Sequence, residues 1–169
     1  DLDGSYDESA AVHIQLEGET AVCDSDAVSI DGSRITLLDE GTYLVSGALT
    51  DGQIVVDAGD TDKVQIVLAG ASLTCADSAA IYSKIAVKVF LTLAEGTENT
   101  LTNGGSYTAI DKNNIDSVVF SKTDLTLNGS GSLTIDAQAG HGQAVLTRHA
   151  VLRGGDGVAA AGDGQLVLG

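Results

Sequence analysis

The chain lacks proline, methionine and tryptophan altogether, and only 4% of its 169 residues are aromatic. Without proline, every residue keeps the backbone N–H that a β-ladder uses, so ladders can run without interruption. The scarcity of aromatic residues argues against an immunoglobulin-type sandwich, whose core contains a buried tryptophan. A narrow interior filled with small aliphatic side chains is favoured instead.

Basic residues are also scarce: 8 Lys and Arg stand against 24 Asp and Glu, which gives a net charge of −16. Nucleic acid is therefore excluded as a partner, because phosphate binding needs a basic patch. No apolar run approaches the ~18 residues of a transmembrane helix. The chain begins at Asp1 rather than Met, which fits removal of a leader, so we expect a secreted or cell-surface location.

Short apolar runs separated by Gly, Asp, Ser and Asn fill the segment 52–102. The runs cover residues 54–56, 64–68, 80–82 and 87–93, and β-branched residues dominate them. Each run has the length of a strand, and each break contains turn-forming residues. A short strand with one apolar face must pack on another strand, so the pattern predicts stacked β-structure.

Two phrases of the sequence recur at irregular intervals. Residues 63–70 (KVQIVLAG) are echoed at 122–129 (KTDLTLNG) and more weakly at 148–154, and residues 80–84 (AIYSK) are echoed at 118–122 (VVFSK) and 144–148 (AVLTR). An imperfect period with variable loops indicates a solenoid, in which each repeat forms one coil. The sequence thus predicts one all-β domain over 1–169, a right-handed parallel β-helix. The side chains predicted to point inward are Val64, Ile66, Leu68, Leu91, Leu93, Leu125, Leu127, Leu133 and Ile135.

Three segments depart from the repeat. Residues 1–11 are acidic and polar, which predicts a flexible N-terminal arm, and residues 99–116 form a long polar loop between coils. Such loops tend to build the binding face of a solenoid. The apolar run 166–168 reads as a strand with no polar cap after it, so this end is expected to pair with another subunit.

The two cysteines, Cys23 and Cys75, have similar neighbours. If they occupy equivalent places two coils apart, their Cα atoms exceed the ~7 Å limit for a disulfide. A bond would require adjacent coils. Two buried thiols are the favoured interpretation.

Residues 41–84, 91–101 and 120–135 resemble a family of secreted bacterial carbohydrate-binding domains. That family is built as a right-handed parallel β-helix, similar in fold to pectate lyases but without known lyase activity. The resemblance implies binding of a cellulose-like or acidic polysaccharide, and calcium as a bound cation. From Asp136 onward the sequence departs from the family pattern.

Metal ligands are predicted at Asp57, Asp60 and Asp62, three carboxylates on one tight loop. Calcium takes six to eight oxygen ligands, and the matching family segment supports this site. An acidic turn whose carboxylates cap backbone amides is the alternative. Asp77 is a further candidate ligand.

Contacts to a sugar are predicted at Tyr107, in the long loop, and at Tyr82, Lys84 and Lys122. Tyr82 and Phe120 hold the same place in the repeat, so a core ladder is the alternative for Tyr82. The lysines recur in register, so pairing with acidic residues is the alternative for them.

Catalysis is not expected, because His13, His141 and His149 are far apart in sequence and no nucleophile motif accompanies them. The predicted function is an extracellular, non-catalytic β-solenoid that binds polysaccharide and is stabilised by calcium. The alternative is a structural subunit that forms a homo-polymer, head to tail, through the solenoid ends.

Overall fold

The computed structural model describes residues 3–106, 108, 112 and 117–136, together with the backbone of 137, 143–146, 150–152, 158–160 and 166–168. Over these residues the protein is all-β, as predicted, with one short 3₁₀ turn at Glu8–Ala10 and no α-helix. No helix in this part of the chain has the length and hydrophobicity needed to span a membrane.

The strands are short, as the spacing of the apolar runs predicts. In chain order they are β1 (Val12–Gly18), β2 (Ala21–Val22), β3 (Val28–Asp31), β4 (Arg34–Leu37), β5 (Gly41–Leu49), β6 (Gln53–Asp57), β7 (Lys63–Cys75), β8 (Ile81–Ile85), β9 (Lys88–Leu93), β10 (Glu98–Asn103), β11 (Val119–Ser121), β12 (Asp124–Gly129), β13 (Ser132–Ala137), β14 (Gln143–Leu146), β15 (Ala150–Leu152), β16 (Val158–Ala160) and β17 (Leu166–Leu168).

These strands form two mixed sheets, one of ten strands and one of seven. From β4 to β9 the chain alternates between the sheets, and beyond it β9–β10 and β12–β13 each follow one another in the larger sheet. The strands from β4 to β13 that neighbour one another within a sheet pair in parallel. The smaller sheet pairs β4, β6, β8 and β11 in this order. The larger sheet pairs β1, β5 and β7, after which one branch continues through β9 to β12 and another through β10 to β13.

Glycine corners produce this branching. Gly70 lies inside β7 with φ of 80°, a left-handed conformation that glycine adopts without strain. Before it, β7 pairs with β9; after it, β7 pairs with β10. Gly129, with φ of 91°, ends β12 at an equivalent corner. The strands on either side of 128–131, β12 and β13, therefore do not pair with each other.

The core lies on the inward side of both sheets. All nine side chains predicted to point inward are buried there, which confirms the predicted core positions. The register of the second phrase is also confirmed, since Ile81, Tyr82 and Ser83 pair with Val119, Phe120 and Ser121.

The register of the first phrase differs from the prediction by two residues. Lys63 pairs with Lys88, and Lys88 pairs with Asp124 rather than Lys122. Side chains alternate between faces with a period of two, so this offset leaves the same residues inward. For that reason the core was predicted correctly on an incorrect alignment.

The echoes at 144–148 and 148–154 do not continue the parallel stack. Instead β14 pairs antiparallel with β13, and β15 antiparallel with β12. Only residues 138–142 separate β13 from β14. That is fewer than the dozen or so residues of a parallel crossover, whereas a hairpin connection needs only a few.

The segment 99–116, predicted as a loop, begins as a strand. Asn99, Leu101 and Asn103 of β10 alternate as buried residues. The Asn99 carboxamide oxygen accepts hydrogen bonds from the N–H groups of Gly70 and Ala71, both at 2.9 Å. These asparagines read as turn residues in the sequence but serve as buried hydrogen-bonding side chains.

The N-terminal arm is packed on the larger sheet over its described residues 3–11, rather than extended into solvent. The Gln65 amide donates to the carbonyl of Ser5, and the Asn128 amide donates to that of Asp3. Tyr6 packs against a small apolar cluster that includes Leu44, Val67 and Ala94. Both cysteines are free; Cys75 is buried as predicted, whereas Cys23 is only half-buried.

Candidate functional site

The side chains of β5, β7, β9 and β12 that point away from the core form a surface that we call the outer face. It follows from strand alternation, because Tyr43, Ile66, Leu91 and Leu127 are buried inward and their neighbours point outward. The outward rows are Thr42, Gln65, Phe90 and Thr126, and then Leu44, Val67, Thr92 and Asn128.

Four polar side chains of the outer face are joined by hydrogen bonds, and we call them the polar ladder. The Thr42 hydroxyl donates to Gln65 Oε1 at 3.0 Å, and Gln65 Nε2 donates to the Thr92 hydroxyl at 3.0 Å. The Thr92 hydroxyl in turn donates to Asn128 Oδ1 at 2.6 Å. The ladder crosses all four strands and presents the amide and hydroxyl groups that recognise uncharged hydroxyl-bearing ligands.

An open cavity of about 450 Å³ adjoins one end of the ladder. We call it the Phe90 cavity, because the half-buried ring of Phe90 forms part of its wall. Lys88 Nζ lies 5.1 Å from the centroid of that ring, within cation–π range. The other lining residues are Glu40, Gly41, Thr42, Lys63, Val64 and Gln65.

A second cavity, of about 510 Å³, lies at the other end of the ladder. The arm forms one wall with Gly4, Ser5 and Tyr6, and the corner of the sheet forms the other with residues that include Leu93 and Gly129. Within the arm, a hydrogen bond from the Ser5 backbone N–H lowers the pKa of Asp3, and the Ser9 hydroxyl likewise lowers that of Asp7.

A third cavity, a polar cleft of about 400 Å³, lies beside Arg34 and Gln53, which belong to β4 and β6 of the smaller sheet. In it, one ligand-type atom from each of Asp51, Cys75 and Asp77 lies within 4.8 Å of the others. Burial raises the pKa of the Cys75 thiol, and a protonated thiol is not a metal ligand. Calcium selects oxygen ligands, so this donor set, which includes the predicted Asp77, is a poor fit to calcium.

The predicted loop carboxylates have other partners in the structure. Asp62 accepts a hydrogen bond from the Gly59 N–H at 2.8 Å, and Asp57 lies 3.7 Å from Lys84 Nζ. Asp60 is exposed. Among the described residues, these three carboxylates are not gathered within 4.8 Å as those of the Cys75 cleft are. The geometry is that of a capped acidic turn, and calcium binding at this loop stays a prediction.

Three of the four predicted sugar contacts, Tyr82, Lys84 and Lys122, lie apart from the outer face. Tyr82 is 0% exposed and its ring packs on Phe120. The ring therefore belongs to the core, as in the alternative interpretation, and is not accessible to a sugar. Lys84 pairs with Asp57, and Lys122 is exposed directly after β11, the next strand of the smaller sheet. Tyr107 lies outside the described residues.

Phe90, Gln65, Thr92 and Asn128 were not predicted from the sequence as site residues. Their position between inward residues of the strands could have identified them, because a residue between two inward ones points outward. This inference requires the strand register to be known. In the sequence, however, Gln65, Phe90 and Thr92 lie inside apolar runs that read as core, and Asn128 begins a run of turn-forming residues.

Comparison with known proteins gives three matches to this chain. The sequence profile of a family described as carbohydrate-binding domain-containing protein matches residues 31–166. A protein of the same description from Acetivibrio thermocellus is 36% identical over 119 residues, which is 69% of this chain and 42% of that protein. A solved structure, the gadolinium derivative of the polysaccharide lyase-like protein from C. thermocellum, covers 78% of this chain and 54% of its own, with 33% identity and a TM-score of 0.73. The chain thus spans about half the length of these relatives.

Proposed function

The chain belongs to the family of carbohydrate-binding domain-containing proteins, and from this premise we propose that it binds a neutral, cellulose-like polysaccharide on its outer face. The observation that carries the proposal is the Phe90 cavity, where an accessible aromatic ring stands beside Thr42 and Gln65 of the polar ladder. A sugar ring presents C–H groups to such a ring and hydroxyls to the amide and hydroxyl groups next to it.

Charge favours a neutral ligand over an acidic one. The chain carries a net charge of −16, which repels a polyuronate. Around the Phe90 cavity, the cations Lys63 and Lys88 offset the carboxylate of Glu40 only locally. An acidic polysaccharide would need calcium to bridge its carboxylates to those of the protein, and Lys84 with Lys122 would be the contacts for that ligand.

Binding without catalysis is part of the proposal. Glycoside hydrolysis ordinarily uses a pair of carboxylates flanking the scissile bond. The described lining of the Phe90 cavity contains one carboxylate, that of Glu40. The description of the family as carbohydrate-binding agrees with a binding role.

We further propose that the fold is a right-handed parallel β-helix of a secreted protein, stabilised by calcium. Alternation of the chain between two parallel ladders supports the β-helix. For calcium, the support is the acidic loop at 57–62, whose carboxylates are the oxygen ligands that calcium prefers.

Assembly into a head-to-tail filament is the second candidate function. The observation that favours it is the order of the smaller sheet, in which β17 and β3 are the two outermost strands. An outermost strand presents unpaired backbone groups to which another chain can add.

Pull-down with insoluble cellulose, followed by titration with cello-oligosaccharides, tests the binding site. Phe90→Ala and Gln65→Ala are each expected to weaken binding about tenfold, equivalent to ~1.4 kcal/mol. Val87→Ala is the matched control, because Val87 is an exposed apolar residue away from the outer face. Absence of binding to cellulose and to polygalacturonate, with and without calcium, would refute the function. Binding that both outer-face variants retain would place the site elsewhere.

A further inference from the structure

The polar ladder continues beneath the arm. Thr92 and Asn128 point outward, yet they are only 1% and 0% exposed. The arm lies over them, since the Asp3 carbonyl accepts from Asn128 and the Ser5 carbonyl accepts from Gln65, the residue that donates to Thr92. Two of the four members of the ladder are therefore covered, whereas Thr42 and Gln65 line the open Phe90 cavity.

The ladder connects the two cavities. It starts at Thr42 and Gln65, in the wall of the Phe90 cavity, and it ends at Asn128, next to Gly129 in the wall of the second cavity. Four strands ~4.8 Å apart make this row ~14 Å long, enough for a short stretch of polysaccharide. The chemistry of the row does not change along it, because amide and hydroxyl groups alternate from one end to the other.

The two hydrogen bonds from the ladder to the backbone of the arm are long, at 3.3 and 3.4 Å. These lengths exceed the usual 2.7–3.2 Å range for N–H···O bonds. Within the arm, by contrast, the Ser5 N–H donates to Asp3 Oδ1 at 2.9 Å and the Ser9 hydroxyl to Asp7 Oδ1 at 2.7 Å. The arm can keep these internal turns when it leaves the sheet.

Resting on the proposed function, we infer that the polysaccharide groove continues beneath the arm. Thr92 and Asn128 are further subsites for the hydroxyls of a neutral glucan, and residues 3–11 are a displaceable cover over them. The arm thus limits the length of ligand that the outer face binds. A short oligosaccharide fits the Phe90 cavity alone, whereas a long one gains the covered subsites and must displace the arm.

Gly4 offers a way to lift the arm without shortening the chain. A Cβ at this position would lie 2.9 Å from both the Cα and the N of Gly129, closer than real Cβ contacts allow. Gly129 is fixed backbone at a corner of the sheet, so the arm must move instead. Ala10 is exposed on the same arm and already has a Cβ, so Ala10→Val adds two methyl groups at a solvent-facing position.

Titration of the full chain with cellobiose and cellohexaose tests the inference. Gly4→Val is expected to bind cellohexaose at least fivefold more tightly than wild type and cellobiose equally, and Ala10→Val should match wild type for both. Adding Thr92→Val to Gly4→Val should remove the gain. A gain that persists in the double variant, or equal cellohexaose affinity with the arm displaced, would overturn the inference.

Contacts of the Tyr6 ring, observed by NMR, provide the independent measurement. In the wild-type chain this ring packs against the cluster that contains Leu44 and Val67, so cellohexaose should abolish the NOEs from the ring to their methyl groups, whereas cellobiose should not. NOEs that persist with bound cellohexaose overturn the inference even if Gly4→Val keeps the arm seated. The two proposals fail differently. Loss of the proposed function appears as no oligosaccharide binding by any variant, whereas loss of this inference leaves Phe90-dependent binding that is insensitive to the arm.

Discussion

Tyr82 and Phe120 pair in register on β8 and β11, with ring centroids 5.8 Å apart and ring planes at 67°. This edge-to-face contact lies in a small apolar cluster with Val55 and Ala79. Equivalent apolar positions on successive strands therefore form a stacked ladder inside the protein. The repeat that gives Tyr82 and Phe120 equivalent positions therefore accounts for the burial of Tyr82, as the core-ladder alternative implied.

The first prediction is that Tyr82 stabilises the fold, whereas Phe90 binds the sugar. Tyr82→Ala should lower the free energy of unfolding by ~3–5 kcal/mol, because it removes a buried aromatic ring. The folded fraction should still bind cellulose. Phe90→Ala should do the reverse, with a small loss of stability and weaker binding. Urea unfolding and cellulose pull-down of both variants check this, and a binding defect in folded Tyr82→Ala would contradict it.

The strands and the core could be predicted from local patterns in the sequence. Val64, Ile66 and Leu68 alternate with outward residues, and a period of two decides which face is buried whatever strand lies alongside. The alternation does not determine the strand register, because a shift of two residues leaves the same side chains buried. Lys63 was therefore aligned with Lys122 without any conflict with the pattern.

The candidate site depends on contacts between distant parts of the chain. Asn128 meets the arm at Asp3, so nothing near either residue in the sequence signals the contact. Asp57, Asp60 and Asp62 are close in sequence, but their carboxylates do not converge. Asp57 is directed to Lys84 and Asp62 to the Gly59 N–H, whereas Asp60 is exposed. By contrast, Asp51 is distant in sequence from Cys75 and Asp77, yet the fold brings the three together.

Reactivity and pH dependence of the thiols form the second prediction. Burial raises the pKa of Cys75 above its ordinary value of 9.0, and its side chain is 3% exposed. A disulfide reagent at pH 8 should therefore modify the half-buried Cys23 first and Cys75 only on unfolding. Comparable rates for the two thiols in the folded protein would contradict this.

The same shift makes stability depend on alkaline pH. In the folded state Cys75 keeps its proton at pH values where the unfolded chain has lost it, so stability is complete below pH 9 and falls as pH rises above it. Cys75→Ala should show a shallower fall in urea-unfolding free energy above pH 9, and Cys23→Ala provides the control.

Calcium dependence of the melting temperature is the third prediction. If the loop 57–62 binds calcium, millimolar calcium should raise the melting temperature relative to chelator, because a ligand bound only by the folded state stabilises it. Asp60→Asn should remove the increment without disturbing the Gly59–Asp62 hydrogen bond that closes the turn. If the wild-type melting curves with calcium and with chelator coincide, calcium does not bind this loop and its carboxylates are only turn and surface charges.

Assembly is the fourth prediction, and it concerns the edges of the smaller sheet. The strand β17 pairs antiparallel with β16 on one side and is outermost on the other, and β3 is outermost at the opposite end. Addition of β17 of one copy to β3 of the next would repeat without closing and would generate a filament. The net charge of −16 opposes this contact, and calcium would screen the repulsion.

Substitution of Val167 by Lys should place a charge in the β17 edge and shorten or abolish any polymer, while the parallel core is untouched. Val22→Lys is the matched control, since Val22 is exposed at the edge of the larger sheet. Light scattering at high protein concentration with calcium separates the variants: the wild type and Val22→Lys should polymerise, whereas Val167→Lys should not. A wild type that stays monomeric under these conditions shows that the filament proposal is wrong, because the two edges would then be unable to pair even with their charge repulsion screened.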